Sequence, residues 1–305
     1  MARKRPKGLL AMGWASFESA ARGRTEHAPT SADYPDTVVR RTTFTAGGGH
    51  GWRISALETP RARPAAWKIV VITGAPSWAE YWAETLAALP ADREMIVVDR
   101  PGYGASEPRD PVHDIRTQAE ALAPLLAAAR GQKVMLVGQS YGAAIASLMA
   151  EAQPGRVTSL VLLSGFFADT GPTARWLLDV GSRALKVLPR DLRHAVVECS
   201  GQRPQLAYAR RALGRLNIPI HMIHGDRDDF APIEVAERLA AETVTRRPIR
   251  FIRTAGANHF LNDGPAEALL AALETCIPTR APWRFAWPRL PRLSLPRFLG
   301  QASGA

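Results

Sequence analysis

Cysteine is scarce: two residues, Cys199 and Cys276, in a chain of 305. So few thiols exclude a disulfide framework as the basis of the fold and fit a reducing compartment. The two cysteines and seven histidines form no C-x-x-C or H-x-x-x-H pair, so neither metal nor cofactor is expected. No apolar run reaches the length of a membrane-spanning helix. Nucleotide-binding spacings are missing too. The glycine-rich stretch Gly47-Gly48-Gly49-His50-Gly51 has no G-K-[ST] or G-x-G-x-x-G after it. It lies between strand-like runs, Thr37 to Thr45 and Trp52 to Glu58, and reads as a hairpin connection.

Acidic residues are in deficit, giving a net charge of +11 and a pI near 10.4. The excess is local. Residues 1 to 27 hold six Lys or Arg against two Glu, residues 165 to 217 hold nine against four, and residues 276 to 305 hold five Arg and no acid. The rest of the chain is slightly acidic. In the last segment Arg284, Arg289, Arg292 and Arg297 alternate with Trp283, Phe285, Trp287 and Phe298, while recurring prolines exclude a helix. Tryptophan with arginine suits an anionic membrane surface, a better match than nucleic acid; a solvated tail is the competing reading. At the other end, Arg3-Lys4-Arg5-Pro6-Lys7 precedes only ten apolar-rich residues, Gly8 to Phe17, two of them glycine. That imitates an export signal but suits a surface-lying anchor as well. The location expected is cytoplasmic, with contact to a membrane surface through the tails.

Between the tails, 46% hydrophobic residues suffice for a sizeable core. Short apolar runs (Lys68 to Ile72, Lys133 to Val137, Ser159 to Phe166, Ile218 to Ile223, Ile249 to Ile252) alternate with helical patterns over Trp78 to Leu89, Ile115 to Ala129, Tyr141 to Ala152, Ile233 to Ala241 and Pro265 to Thr275. Such alternation predicts an α/β fold, a mostly parallel central sheet flanked by helices. Ligands then bind at the sheet's carboxyl edge.

At that edge stands Gly138-Gln139-Ser140-Tyr141-Gly142, a G-x-S-x-G box between a buried strand and a small-residue helix. The glycines remove Cβ atoms that would collide in a sharp strand-to-helix reversal, which leaves Ser140 projecting beside a helix N-terminus. A serine hydroxyl is a weak nucleophile at neutral pH and needs a histidine to take its proton and a carboxylate to orient that histidine. Downstream, the strand-like run to Ile223 leads into His224-Gly225-Asp226-Arg227-Asp228-Asp229, and the next strand leads into Ala257-Asn258-His259. Serine, acid and histidine thus follow one of the known triad orders.

These motifs resemble the α/β-hydrolase superfamily over roughly residues 36 to 276. Asp99-Arg100-Pro101-Gly102-Tyr103-Gly104-Ala105-Ser106 and the G-x-x-D loop Gly225 to Asp228 add to the resemblance. It implies Ser140 as nucleophile, Asp228 as acid and His259 as base, with Asp226, Asp229 and Asp169 as rival acids. It also implies oxyanion-binding backbone amides at Tyr141 and at Ala75, the latter in Thr73-Gly74-Ala75-Pro76, where threonine replaces the family's histidine. Residues 1–35 are then a basic extension, 36–276 the catalytic domain and 277–305 a basic tail. A short helical cap inserted at about 168–217 offers Trp176, Leu177, Leu178, Leu188, Val196 and Leu206 as an apolar wall. Trp176 and Tyr103 are the substrate-binding candidates.

Asp99 reads as structural, holding the Pro101-Gly102 turn, and His221 as a satisfied interior imidazole; His224 stays open. The function implied is a serine hydrolase of a carboxylic ester or related acyl compound, working through an acyl-enzyme. Acyl transfer, C–C bond hydrolysis and a noncatalytic binding role on the same fold are the alternatives. A serine nucleophile argues against the family's dehalogenase and epoxide hydrolase branches, which use aspartate.

Overall fold

The structure is a computed structural model and describes residues 34–167 and 169–278. Residues 1–33 and 279–305, most of the two basic tails, and Ala168 at the start of the expected insertion lie outside the described residues.

Eight strands form one sheet: β1 (Arg40–Thr45), β2 (Arg53–Glu58), β3 (Trp67–Ile72), β4 (Arg93–Val98), β5 (Lys133–Gln139), β6 (Ser159–Leu163), β7 (Ile220–Gly225) and β8 (Arg250–Thr254). Their order is β1-β2-β4-β3-β5-β6-β7-β8. β1, β2 and β4 pair antiparallel in turn, and every pairing from β4 to β8 is parallel. β5 and β6 are apolar along almost their whole length because helices cover both faces of the parallel region. β1, at the edge, is mostly half-buried or exposed. The glycine-rich stretch is the β1–β2 turn, with Gly48, Gly49 and Gly51 at positive φ.

Helices are α1 (Ala83–Ala87), α2 (Ile115–Leu122), α3 (Tyr141–Ala152), α4 (Pro172–Arg183), α5 (Arg190–Gly201), α6 (Leu206–Arg215), α7 (Ile233–Glu242) and α8 (Ala266–Glu274). Two predicted helices are shorter or broken. The pattern over Trp78 to Leu89 divides into a 3-10 turn, Ala79–Trp82, and α1. The pattern from Ile115 gives α2 and then a 3-10 turn, Ala123–Leu126. Pro124 sits in that turn, and its missing N–H prevents the α-helical ladder from continuing.

One core layer packs Leu122, Leu136, Ile145 and Leu213 on one face of the sheet; the other packs Trp82, Leu86, Val97, Val137 and Leu270. The register aligns Ile72 with Gly138, Gln139 with Leu163, and Gly225 with Thr254. The loops after β3, β5, β6, β7 and β8 therefore leave from one edge. Between β6 and β7 the chain forms α4, α5 and α6. Leu206, Ala209, Ala212 and Leu213 of α6 are buried in the main core. α4 and α5 pack on each other, and a Cβ at Gly181 would lie 2.6 Å from Val196 Cγ2.

Candidate active site

β5 and α3 meet at Ser140, whose backbone has φ 50° and ψ −118°, a strained conformation for a residue with a side chain. The end of β6 and the loop after it hold Ser140: its N donates to Leu163 O at 2.9 Å, and Phe166 N donates to Ser140 O at 3.3 Å. The flanking glycines are required sterically. A Cβ on Gly138 would lie 2.6 Å from Ala143 Cα, and one on Gly142 would run into the backbone oxygens of Ile72 and Thr73. Gly142→Ala is therefore expected to lower unfolding free energy by about 1–3 kcal/mol, the usual range for an overpacked interior. Urea unfolding of the variant beside the parent checks this.

His259 Nε2 lies 2.9 Å from Ser140 Oγ, and His259 Nδ1 lies 2.8 Å from Asp228 Oδ2. Because Nδ1 faces a carboxylate, it carries the ring proton, and Nε2 is left to accept from the serine hydroxyl. Phe230 stacks on the imidazole at 5.1 Å between centroids, and Phe260 meets it edge-on at 5.4 Å. These contacts leave the ring little freedom to rotate.

The surroundings of Asp228 explain its charge. Oδ1 accepts from the amides of Phe230 and Ala231 at 2.9 and 2.8 Å. His224 Nε2 lies 3.0 Å from Oδ2 and also donates to Ala231 O at 2.7 Å. Burial disfavours the carboxylate, but the hydrogen bonds from His224 and His259 and the attraction of His259 outweigh it. The carboxyl is held well below the usual range. His224, which the sequence left open, is thus a second imidazole on the same carboxylate oxygen as His259. Its place immediately before the G-x-x-D loop was the available signal.

The rival acids are engaged elsewhere. Asp226 accepts from Gly256 N at 2.7 Å, Asp229 is hydrogen-bonded to Thr173, and exposed Asp169 pairs with Arg203 at 3.3 Å. His221 corrects an expectation. It is buried, but neither ring nitrogen has a hydrogen-bond partner among the described residues. Burial and the nearby Arg250 lower its pKa, favouring the neutral ring. Asp99 is structural on a wider scale than one turn. It accepts from the amides of Ala79 and Ala105 at 2.8 and 3.2 Å and from Arg41 at 2.9 Å, joining β1 to two loops.

A cavity of about 500 Å³ opens at Ser140 and His259. Ala75 and Tyr141 line it. The loop after β3 touches the serine, since a Cβ on Gly74 would lie 3.1 Å from Ser140 Cβ. Tyr141 opens α3, where the first amides have no partner within the helix. Leu177, Leu178, Leu188 and Val196 of the insertion form the apolar wall.

Both substrate-binding candidates are corrected. Trp176 is 62% exposed and does not line the cavity. Ala174, Leu177, Leu178 and Gly181 share the inward face of α4 at helical spacing, and position 176 falls off that face. Tyr103 is fully buried behind the cavity, and its hydroxyl donates to Glu198 Oε2 at 2.8 Å. Leu206 packs in the core, not the wall. Among the described residues no cluster of His, Cys, Asp and Glu is arranged to hold a metal ion, and no helix is long and apolar enough to cross a membrane.

Comparison with known proteins agrees with this architecture. The family model for the alpha/beta hydrolase fold matches residues 69–195. RutD of Klebsiella pneumoniae (strain 342), a candidate carbamate hydrolase, is 31% identical over 120 residues. That match covers 39% of this chain and 45% of RutD, so the chain spans less than half the length of this relative. Among solved structures, a thermophilic esterase from Thermogutta terrifontis superposes with a TM-score of 0.61 at 19% identity, covering 77% of this chain and 97% of its own. The Cif epoxide hydrolase from Acinetobacter nosocomialis gives 0.66 at 14%, covering 90% and 98%. At such identities the superpositions speak for the fold alone. The family model, the sheet order and the strand-to-helix serine turn agree, and the chain has the α/β-hydrolase fold.

Proposed function

We propose that the protein is a serine hydrolase of neutral carboxylic esters with an apolar acyl group. The observation that carries this reading is the hydrogen-bonded line from Ser140 Oγ through His259 to Asp228 at the mouth of an apolar cavity. His259 Nε2 takes the hydroxyl proton as Ser140 Oγ attacks the ester carbonyl. The amides of Tyr141 and Ala75 bind the oxyanion of the tetrahedral intermediate. As that intermediate collapses, His259 passes its proton to the departing alkoxide, leaving an acyl-serine. Water, deprotonated by the same imidazole, then attacks the acyl carbon and releases acid and free serine. Asp228 keeps the imidazole in the right tautomer and stabilises its cation.

The lining supports the substrate class. Phe166, Leu178, Leu188, Val196 and Phe230 present hydrocarbon, and no Lys or Arg among the described residues lines the cavity to bind an anionic acyl group. The helices α4 and α5 act as the cap. Each additional buried methylene is worth about 0.8 kcal/mol. A series of p-nitrophenyl esters of graded acyl length is therefore expected to gain about fourfold in kcat/KM per methylene until the cavity is filled, then to fall. Fluorophosphonate labelling should map to Ser140 by mass spectrometry. A rate that declines steadily from the acetyl ester, or label on another residue, would overturn the reading.

A further inference from the structure

We infer that Arg100, held by Glu198 of α5, is a positioning residue that aims the Ala75 amide at Ser140. The inference rests on the hydrolase reading for its catalytic consequence, though not for its geometry.

Arg100 and Glu198 have fully buried side chains, and Arg100 Nη2 lies 3.0 Å from Glu198 Oε2. Arg100 also donates to Gln118 Oε1 at 2.6 Å. Glu198 receives Gln118 Nε2 at 3.0 Å and the Tyr103 hydroxyl at 2.8 Å. Such a pair is expensive to desolvate, and apolar packing often serves stability as well or better. Its contacts suggest another purpose. Arg100 Nη2 and Nε donate to Gly74 O at 3.0 and 3.3 Å. The Gly74–Ala75 peptide is trans, so its carbonyl and its N–H point in opposite directions. Fixing the carbonyl on the guanidinium turns the Ala75 N–H away from Arg100. The peptide borders the serine, because a Cβ on Gly74 would lie 3.7 Å from Ser140 Oγ.

The same guanidinium lies between two rings, 4.4 Å from the centroid of Tyr103 and 4.7 Å from that of Tyr141. One buried cation therefore touches both segments that supply the oxyanion amides. Donation to the Gly74 carbonyl also polarises that peptide and strengthens its N–H as a donor. Glu198 links this device to the substrate pocket, since Ala195, Val196 and Cys199 on the same helix line the cavity.

The test compares Arg100→Met, Arg100→Lys and Glu198→Gln with the parent. For Arg100→Met, kcat on the best p-nitrophenyl ester should fall between about tenfold and a hundredfold, somewhat less than outright loss of an oxyanion donor. KM should stay within about twofold, and a trifluoromethyl ketone should weaken by the same factor as kcat, because it mimics the tetrahedral oxyanion. Arg100→Lys should recover part of the loss, and Glu198→Gln should show a smaller fall of the same kind. In crystals of Arg100→Met the Gly74–Ala75 peptide should be rotated. A peptide unmoved from the parent, or kcat and inhibitor affinity retained in both Arg100→Met and Glu198→Gln, overturns the inference. Should Arg100→Met fail to fold, Glu198→Gln decides by the same two readouts. If the parent hydrolyses no ester and takes no fluorophosphonate, the hydrolase reading falls, while the peptide's orientation still decides the positioning claim.

Discussion

Replacing Ser140 with alanine is expected to lower kcat on the preferred ester by at least about ten-thousandfold, leave KM nearly unchanged and abolish fluorophosphonate labelling. That factor corresponds to roughly 5.5 kcal/mol of lost transition-state stabilisation. The size follows from where the serine sits. Its Oγ is 2.9 Å from His259 Nε2, and its backbone is strained so that the side chain stands clear of the sheet. Removing one oxygen deletes the atom proposed to attack, while the cavity, α4, α5 and the amides of Tyr141 and Ala75 stay in place. Substrate binding should therefore survive the change. Stopped-flow and steady-state assays of the variant beside the parent measure both quantities. A variant that keeps even a tenth of parental kcat would show that the chemistry runs elsewhere.

Asp228→Asn is expected to reduce kcat by about ten-thousandfold as well, with little distortion of the fold. An asparagine retains an oxygen for the amides of Phe230 and Ala231, but its NH2 presents a donor to His259 Nδ1. The imidazole then shifts its proton to Nε2, the nitrogen facing Ser140, and can no longer accept from the hydroxyl.

The same variant carries a pH signature. Burial works against the Asp228 carboxylate, yet the hydrogen bonds from His224 and His259 hold its pKa well below the unfolded value of about 3.9. A depressed carboxyl contributes stability that is complete above the unfolded pKa and is lost as pH falls toward the folded one. The difference in unfolding free energy between parent and Asp228→Asn should be flat from pH 7 to 5 on this account and shrink below about pH 4. Denaturant titrations across that range measure it. A difference that already declines between pH 7 and 5 would mean that the carboxylate is not held in this way.

Much of the architecture could be read from short-range signals. β5 and α3 were legible because a buried apolar run meets a small-residue helix with glycines on both sides of Ser140, and both partners lie within twenty residues. The hairpin at Gly47 to Gly51 and the parallel alternation were legible for the same reason. Ser140, Asp228 and His259, ordered along the chain, meet in space because the sheet register brings the ends of β5, β7 and β8 to one edge.

What escaped depends on orientation or on distant contacts. Trp176 has the right composition for a pocket wall but the wrong angle on α4. Tyr103 and Glu198 are 95 residues apart in sequence, and nothing near either one announces their pairing. The burial of Arg100 was hidden for the same reason, since a charged residue in a turn ordinarily faces water. His221 has the alternation of an interior residue, but alternation says nothing about whether its nitrogens find partners.

Because α4 and α5 are spliced between β6 and β7, much of the cavity wall and the edge that carries Ser140 and His259 are separate stretches of chain. On the proposed hydrolase reading, residues 172–201 could be altered to suit a longer, bulkier or more polar guest while the sheet and its serine corner go on as before. Glu198 is the exception within that replaceable stretch. If Arg100 positions the Ala75 amide as inferred, a graft of foreign helices that omits an acid at this position would deliver a new specificity onto an enfeebled catalyst.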